Sequence, residues 1–197
     1  MFGAADRFSR IFRTFPATVI NFRLGGLPIT PQGFSDVGGE IQAGHIRLLR
    51  SRSLPPNVGA EYRWRQDTLV VCDDMSQVLN TVSGRSLVVH EGVHAMIDRN
   101  RAVATTTLTA EAAAYLAQII YRLRSGDRLR PWIEANRTEP DGAIYYEALQ
   151  LIDRFGLLTG SAAMQWADSE ALRAAINRHP RYRDVSGADL HGADGVR

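Results

Sequence analysis

The chain has 197 residues, 45% of them apolar and 22% charged, which is the balance of a globular protein able to bury its own core as a single domain. A formal charge of +2 is too small to point to nucleic acid, and one cysteine, Cys72, excludes an internal disulfide. No apolar run approaches the ~18 residues of a membrane span. All 23 basic residues are arginine, which together with abundant alanine suggests a GC-rich, bacterial coding genome. The segment from Met1 to Arg23 lacks the apolar core and cleavage site of a secretory signal. A cytoplasmic location, or export by a route independent of a signal peptide, is therefore expected.

Within an N-terminal docking segment, residues 1–30, Phe8, Ile11, Phe12 and Phe15 recur at helical spacing. Arg7, Arg10 and Arg13 occupy the other face. This predicts an amphipathic helix whose basic side is solvated, with a membrane-surface or partner-binding role as the alternative. Gly25-Gly26-Leu27-Pro28 to Pro31 reads as a turn. Residues 40–49 and 59–72 read as strands, the second folding back at Gln66-Asp67, with a loop over 51–57 containing Pro55-Pro56. Asp73 and Asp74 can cap a long helix from about 75 to 99, with Gly84 as its weak point. Further helices are predicted over 109–124, capped by Thr109 and closed by Gly126, and over 140–155 and 168–178. The polar tail, 186–197, reads as frayed. Strands followed by helices predict an α+β fold: a small mixed or antiparallel sheet on the 75–99 helix, then a mainly helical C-terminal half.

That long helix carries His90-Glu91-Gly92-Val93-His94, the HExxH signature of zinc hydrolases. Residues four apart share a helical face, so both imidazoles can reach one ion, while Glu91 lies ~100° away and can act on a bound water. Two histidines and a glutamate merely packed on a buried helix would be costly. Catalytic zinc usually takes three protein ligands, and the candidates for the third are Glu111, Asp98, His179, His45 and His191. Glu111 is favoured. It opens the next predicted helix, in Ala110-Glu111-Ala112-Ala113-Ala114-Tyr115, whose small residues would let that helix lie close to the first. The bland alternative is a glutamate stabilising a helix N-terminus. Asp98, one turn after His94, suits an orienting role behind a ligand, or an exposed ion pair with Arg99 or Arg101.

The run His90 to Asp98, together with the downstream Ala110-Glu111-Ala112, resembles the gluzincin branch of the zincin metallopeptidases, of which thermolysin is the best-known member. The resemblance covers about 25 of the 197 residues. It implies a Zn2+ ion on His90, His94 and Glu111, with Glu91 as the base in peptide-bond hydrolysis. The chain departs from the pattern in two respects: Tyr115 stands where the family has an aspartate, and the chain is much shorter than a thermolysin-type catalytic unit. Such enzymes add a tyrosine or histidine that stabilises the oxyanion. Tyr182 or His179 is expected here, ahead of Tyr145 and Tyr146, with Tyr115 orienting a ligand. An edge strand that pairs with extended substrate would come from 40–49 or 68–72.

The expected function is thus a zinc metallopeptidase acting on a peptide or protein, in one form a bacterial effector or toxin protease. The alternative is a catalytically silent zincin-fold protein with a regulatory or interaction role, against which the intact Glu91 argues. Arg122, Arg124, Arg128 and Arg130 read as a solvated helix end in preference to a nucleic-acid site. Oligomeric state is not legible.

Overall fold

The phenylalanine-rich start folds as its spacing predicts. In the structure, a computed structural model that describes residues 3–52, 54, 58–72, 75–186 and 188–196 (without the side chains of 75–77), helix α1 spans Ala4–Arg13. It buries Phe8, Ile11 and Phe12, while Phe15 lies beyond the helix end and is 59% exposed. The segment expected as a turn is a short antiparallel hairpin, β1 (Phe22–Leu24) and β2 (Leu27–Ile29). Thr30 then caps α2 (Pro31–Ala43) by accepting the Gly33 N–H at 3.0 Å.

This helix corrects the strand expected over 40–49. Phe34, Val37 and Ile41 bury one helical face, and Gly44, in the left-handed conformation, ends the helix. Only β3 (Arg47–Ser51) is extended there. Strands β4 (Ala60–Arg63) and β5 (Thr68–Cys72) form the expected hairpin around residues 64–67. The sheet order is β3-β5-β4, with β3 parallel and β4 antiparallel to β5, so Thr68–Cys72 is the central strand and β4 an edge.

Asp73, Asp74 and Pro55-Pro56 lie outside the described residues. The long helix divides into α3 (Met75–Asn80) and α4 (Val82–Arg99). The break falls at Thr81, in advance of Gly84, because the Thr81 hydroxyl accepts the Gly84 N–H at 2.9 Å and restarts the helix. Helix α5 (Thr107–Arg124) is capped by Thr106, three residues before the expected cap. Its buried alanines, Ala110, Ala112, Ala113, Ala114 and Ala117, let it pack closely on α4. The sequence reading lacks α6 (Leu129–Asn136), which carries Pro131 in its first turn. Then follow α7 (Pro140–Arg154), β6 (Ala162–Met164) and α8 (Glu170–Arg178). β6 returns to pair in parallel with β1, completing a second mixed sheet of order β2-β1-β6. The architecture is α+β with a mainly helical C-terminal half, and one contiguous cluster of buried side chains runs from Phe8 to Tyr182.

Two contacts position the motif helix. A Cβ on Gly92 would collide with the Phe12 ring, so the glycine between the two histidines is the seat on which α1 packs. The second contact overturns the frayed tail. Residues 188–196 return across α4 and α5: the Thr107 N–H donates to the Asp189 carbonyl at 2.7 Å and the His191 N–H to the Thr105 carbonyl at 2.8 Å. The buried Asp98 carboxylate accepts the N–H groups of Asp194 (2.8 Å) and Gly195 (2.9 Å). A buried carboxylate requires such donors, and the polar tail supplies them. Among the described residues, no helix is long and apolar enough to cross a membrane.

Candidate metal centre

The α4–α5 hairpin brings three expected ligands together. His90 Nε2 lies 3.3 Å from Glu111 Oε2, and His94 Nε2 lies 3.5 Å from Glu111 Oε1. All three side chains offer donor atoms within 4.8 Å of one another. Behind His90, Nδ1 meets the Gln118 side-chain oxygen at 3.0 Å, and the Gln118 amide in turn donates to the Tyr145 hydroxyl at 2.8 Å. An amide oxygen only accepts, so His90 carries a proton on Nδ1; burial lowers its pKa, but the Glu111 carboxylate facing Nε2 outweighs that and raises it, so without a metal ion Nε2 favours a second proton. A proton on Nε2 or a metal ion can bridge the 3.3 Å between that nitrogen and the carboxylate oxygen. The group could hold a metal ion.

His94 is backed differently. Its Nδ1 meets His191 Nε2 at 3.0 Å, the two rings lying near-parallel at 5° with centroids 5.0 Å apart. With the proton on His94 Nδ1 and His191 accepting, His94 Nε2 is also free to ligate. Burial depresses the His94 pKa to about 3, which keeps its lone pair available. Burial raises the pKa of Glu111, but the neighbouring His94 and His90 and the Tyr182 hydroxyl outweigh that and hold it at about 2. Glu111 is therefore held as a carboxylate.

Glu91 points to the edge strand, where its Oε2 accepts the Tyr62 backbone N–H at 2.8 Å. Burial pushes its pKa up to about 7, within the range of a general base. Asp98 touches neither imidazole. Its Oδ2 accepts the Tyr62 hydroxyl at 2.7 Å and its Oδ1 holds the tail, so it braces the residue that positions Glu91 and the segment that carries His191. Arg99 pairs instead with Asp36 (3.0 Å) and Glu40 (3.2 Å). Tyr115 sets its ring edge-on to His90, with centroids 4.8 Å apart, and meets the Tyr182 hydroxyl at 3.3 Å. Tyr182 donates to Glu111 Oε2 at 2.8 Å. Of the two expected oxyanion donors, only Tyr182 reaches the cluster. His179 corrects the expectation: its Nε2 meets Asp141 Oδ1 at 3.0 Å and its Nδ1 accepts the Arg181 N–H at 3.1 Å. His45 pairs with Glu40 at 2.7 Å and takes no part.

A cavity of about 270 Å³ opens beside His90 and Glu91, walled by Leu87, Trp132 and Tyr145, with Arg122 and Arg181 as cations. The strand lining it is β4, through Ala60, and not the predicted 40–49 or 68–72. Gln118, Tyr62 and the supporting role of His191 escape the sequence reading. Arg122 and Arg130 are paired with Asp127 (2.7 Å) and Asp153 (2.6 Å); Arg130 is nearly half exposed, whereas Arg122, 18% exposed, faces the cavity and departs from the solvated helix end expected. Compared with models of known protein families, with curated proteins and with solved structures, the chain matches none.

Proposed function

We propose that the chain is a zinc-dependent peptidase of the gluzincin kind, with His90, His94 and Glu111 as ligands and Glu91 as base. The observation that carries this reading is the spacing of the ligand atoms. Bonds of about 2.0–2.1 Å at tetrahedral angles separate neighbouring ligand atoms by about 3.3–3.4 Å. The two distances from the histidines to Glu111 are 3.3 and 3.5 Å. The nitrogen and oxygen donors suit zinc, and a set of three among the described residues suits an open, catalytic site.

A zinc ion there would supply Lewis acidity and a bound water of pKa near ~7. Glu91, held by the Tyr62 N–H, takes a proton from the attacking water and delivers it to the leaving amine. Ala60 on the open edge of β4 offers backbone groups to an extended peptide. The neighbouring cavity takes a substrate side chain against Leu87, Trp132 and Tyr145. Tyr182 donates its one O–H to Glu111 and holds it in a ligating orientation; to stabilise the developing oxyanion it would turn that hydrogen away from the carboxylate.

The test is metal analysis of the purified chain alongside mass-spectrometric digestion of a peptide library. About one zinc per chain is expected, lost in His90→Ala, His94→Ala and Glu111→Ala. Glu91→Gln should keep the zinc and lose nearly all hydrolysis. A His94→Ala protein with full zinc, or a Glu91→Gln protein with full turnover, removes the assignment.

A further inference from the structure

Where the start of α4 meets the end of α5, we infer a binding site for a ligand carrying two or more phosphate groups, formed by Arg7, Arg10, Arg85 and Arg124. These arginines line a cleft of about 520 Å³, together with Tyr121 and the exposed Phe15. No carboxylate lines it among the described residues. Arg7 donates to the Asn80 side-chain oxygen at 3.1 Å, and Arg85 to the Leu79 carbonyl at 3.0 Å and the Tyr121 hydroxyl at 3.3 Å. These acceptors are neutral. The Arg124 Nε is buried with no hydrogen-bond partner among the described residues. A buried guanidinium N–H left unpaired is costly, and the neutral acceptors of Arg7 and Arg85 leave the charges of those two side chains uncompensated. An anion answers both costs.

The arginine sets that the sequence separates, one on α1 and one at the end of α5, meet here. Arg122 and Arg130 are neutralised by Asp127 and Asp153, whereas Arg124 turns into the cleft. Guanidinium groups match phosphate oxygens in bidentate fashion, and four of them exceed what one carboxylate can satisfy. The volume falls within the range of small-molecule sites and is too large for a single inorganic ion. Phe15 and Tyr121 give the ligand's less polar part a surface to lie on. The same chemistry is presented by a soluble phosphorylated metabolite and by a phosphorylated lipid headgroup.

The experiment is calorimetric titration of the full chain with pyrophosphate and with inositol trisphosphate at physiological ionic strength. A second arm sediments phosphatidylcholine vesicles containing phosphatidylinositol bisphosphate, or phosphatidylserine at equal charge. Saturable binding is expected, weakened about tenfold or more by Arg7→Gln and by Arg124→Gln, since each removes a charged hydrogen-bond donor. Arg128→Gln, which changes the net charge equally, should leave it intact. Arg7 and Arg10 are exposed, so Arg7→Gln and Arg10→Gln test the site even if Arg124→Gln fails to fold. Binding of the soluble probes alone identifies a free ligand, and selective retention on bisphosphate vesicles identifies a headgroup. No saturable binding to any probe, or an equal loss in Arg128→Gln, overturns the site.

Discussion

The two histidines of the motif are supported in opposite ways. His90 is oriented by Gln118, seven residues after Glu111 on the same helix, within a rigid helical hairpin. His94 is oriented by His191, 97 residues away, on a segment without regular structure that is held by hydrogen bonds to Asp98 and to residues 105–107. One half of the site is secured by core packing and the other by a polar latch. The packed half opens only when the fold does, whereas the latched half can also open by itself.

Asp98→Ala should have the largest effect, because it strands the Tyr62 hydroxyl and two backbone N–H groups at once. A loss of about 3 kcal/mol in denaturant unfolding is expected, with new protease cleavage near Arg183 as the tail releases. Unchanged proteolysis would mean that Asp98 does not hold the tail. Gly92→Ala strikes the helix that both halves share, forcing a methyl into the Phe12 ring, and should cost about 1–3 kcal/mol while lowering metal affinity only through instability. Full stability would show that α1 is not seated there.

Gln118→Ala and His191→Ala separate the halves. Each should weaken metal binding roughly 10- to 100-fold in competition with a chelator, and the double variant should show the product of the two factors if the supports act independently. Only His191→Ala should increase cleavage of the tail. If His191→Ala binds metal as the unaltered chain does, the latch does not serve the site. A remote pair calibrates the smallest effect. Arg130, by hydrogen bonding and charge, holds the Asp153 carboxyl below its ordinary 3.8. Because the folded pKa is depressed, the stabilisation is present above that ordinary value and is lost as pH falls through the folded one. Both side chains are nearly half exposed, so the unaltered chain should exceed Asp153→Asn by less than about 1 kcal/mol at neutral pH and by nothing in strong acid.

The two supports also differ in how far the sequence reveals them. Helical periodicity carries His90, His94 and Glu111 onto facing helices, and the alanines after Glu111 announce a close approach. Gln118 left a signal, a polar residue between Ala117 and Ile119 on an otherwise buried face, two turns from Glu111. His191 left none. In Asp189-Leu190-His191-Gly192-Ala193-Asp194 the period is neither helical nor strand-like, and what fixes it is a carboxylate nearly a hundred residues earlier. The strand expected at 40–49 failed because Gly38 and Gly39 hide a helix that Thr30, Pro31 and the Phe34-Val37-Ile41 spacing specify. The edge strand beside the site depends on long-range pairing order, which no local pattern encodes.

Synthesis proceeds in one direction, and the tail's role gives that direction a consequence. From Glu111 to His191 is 191 − 111 = 80 residues, which at roughly 5–20 residues per second amounts to about 4–16 s. Throughout that interval the growing chain already has His90, His94 and Glu111 but not the imidazole that backs His94, nor the tail groups that Asp98 holds. The groups that back His94 and Asp98 are therefore the last of this cluster to be made, as translation reaches His191 and Gly195.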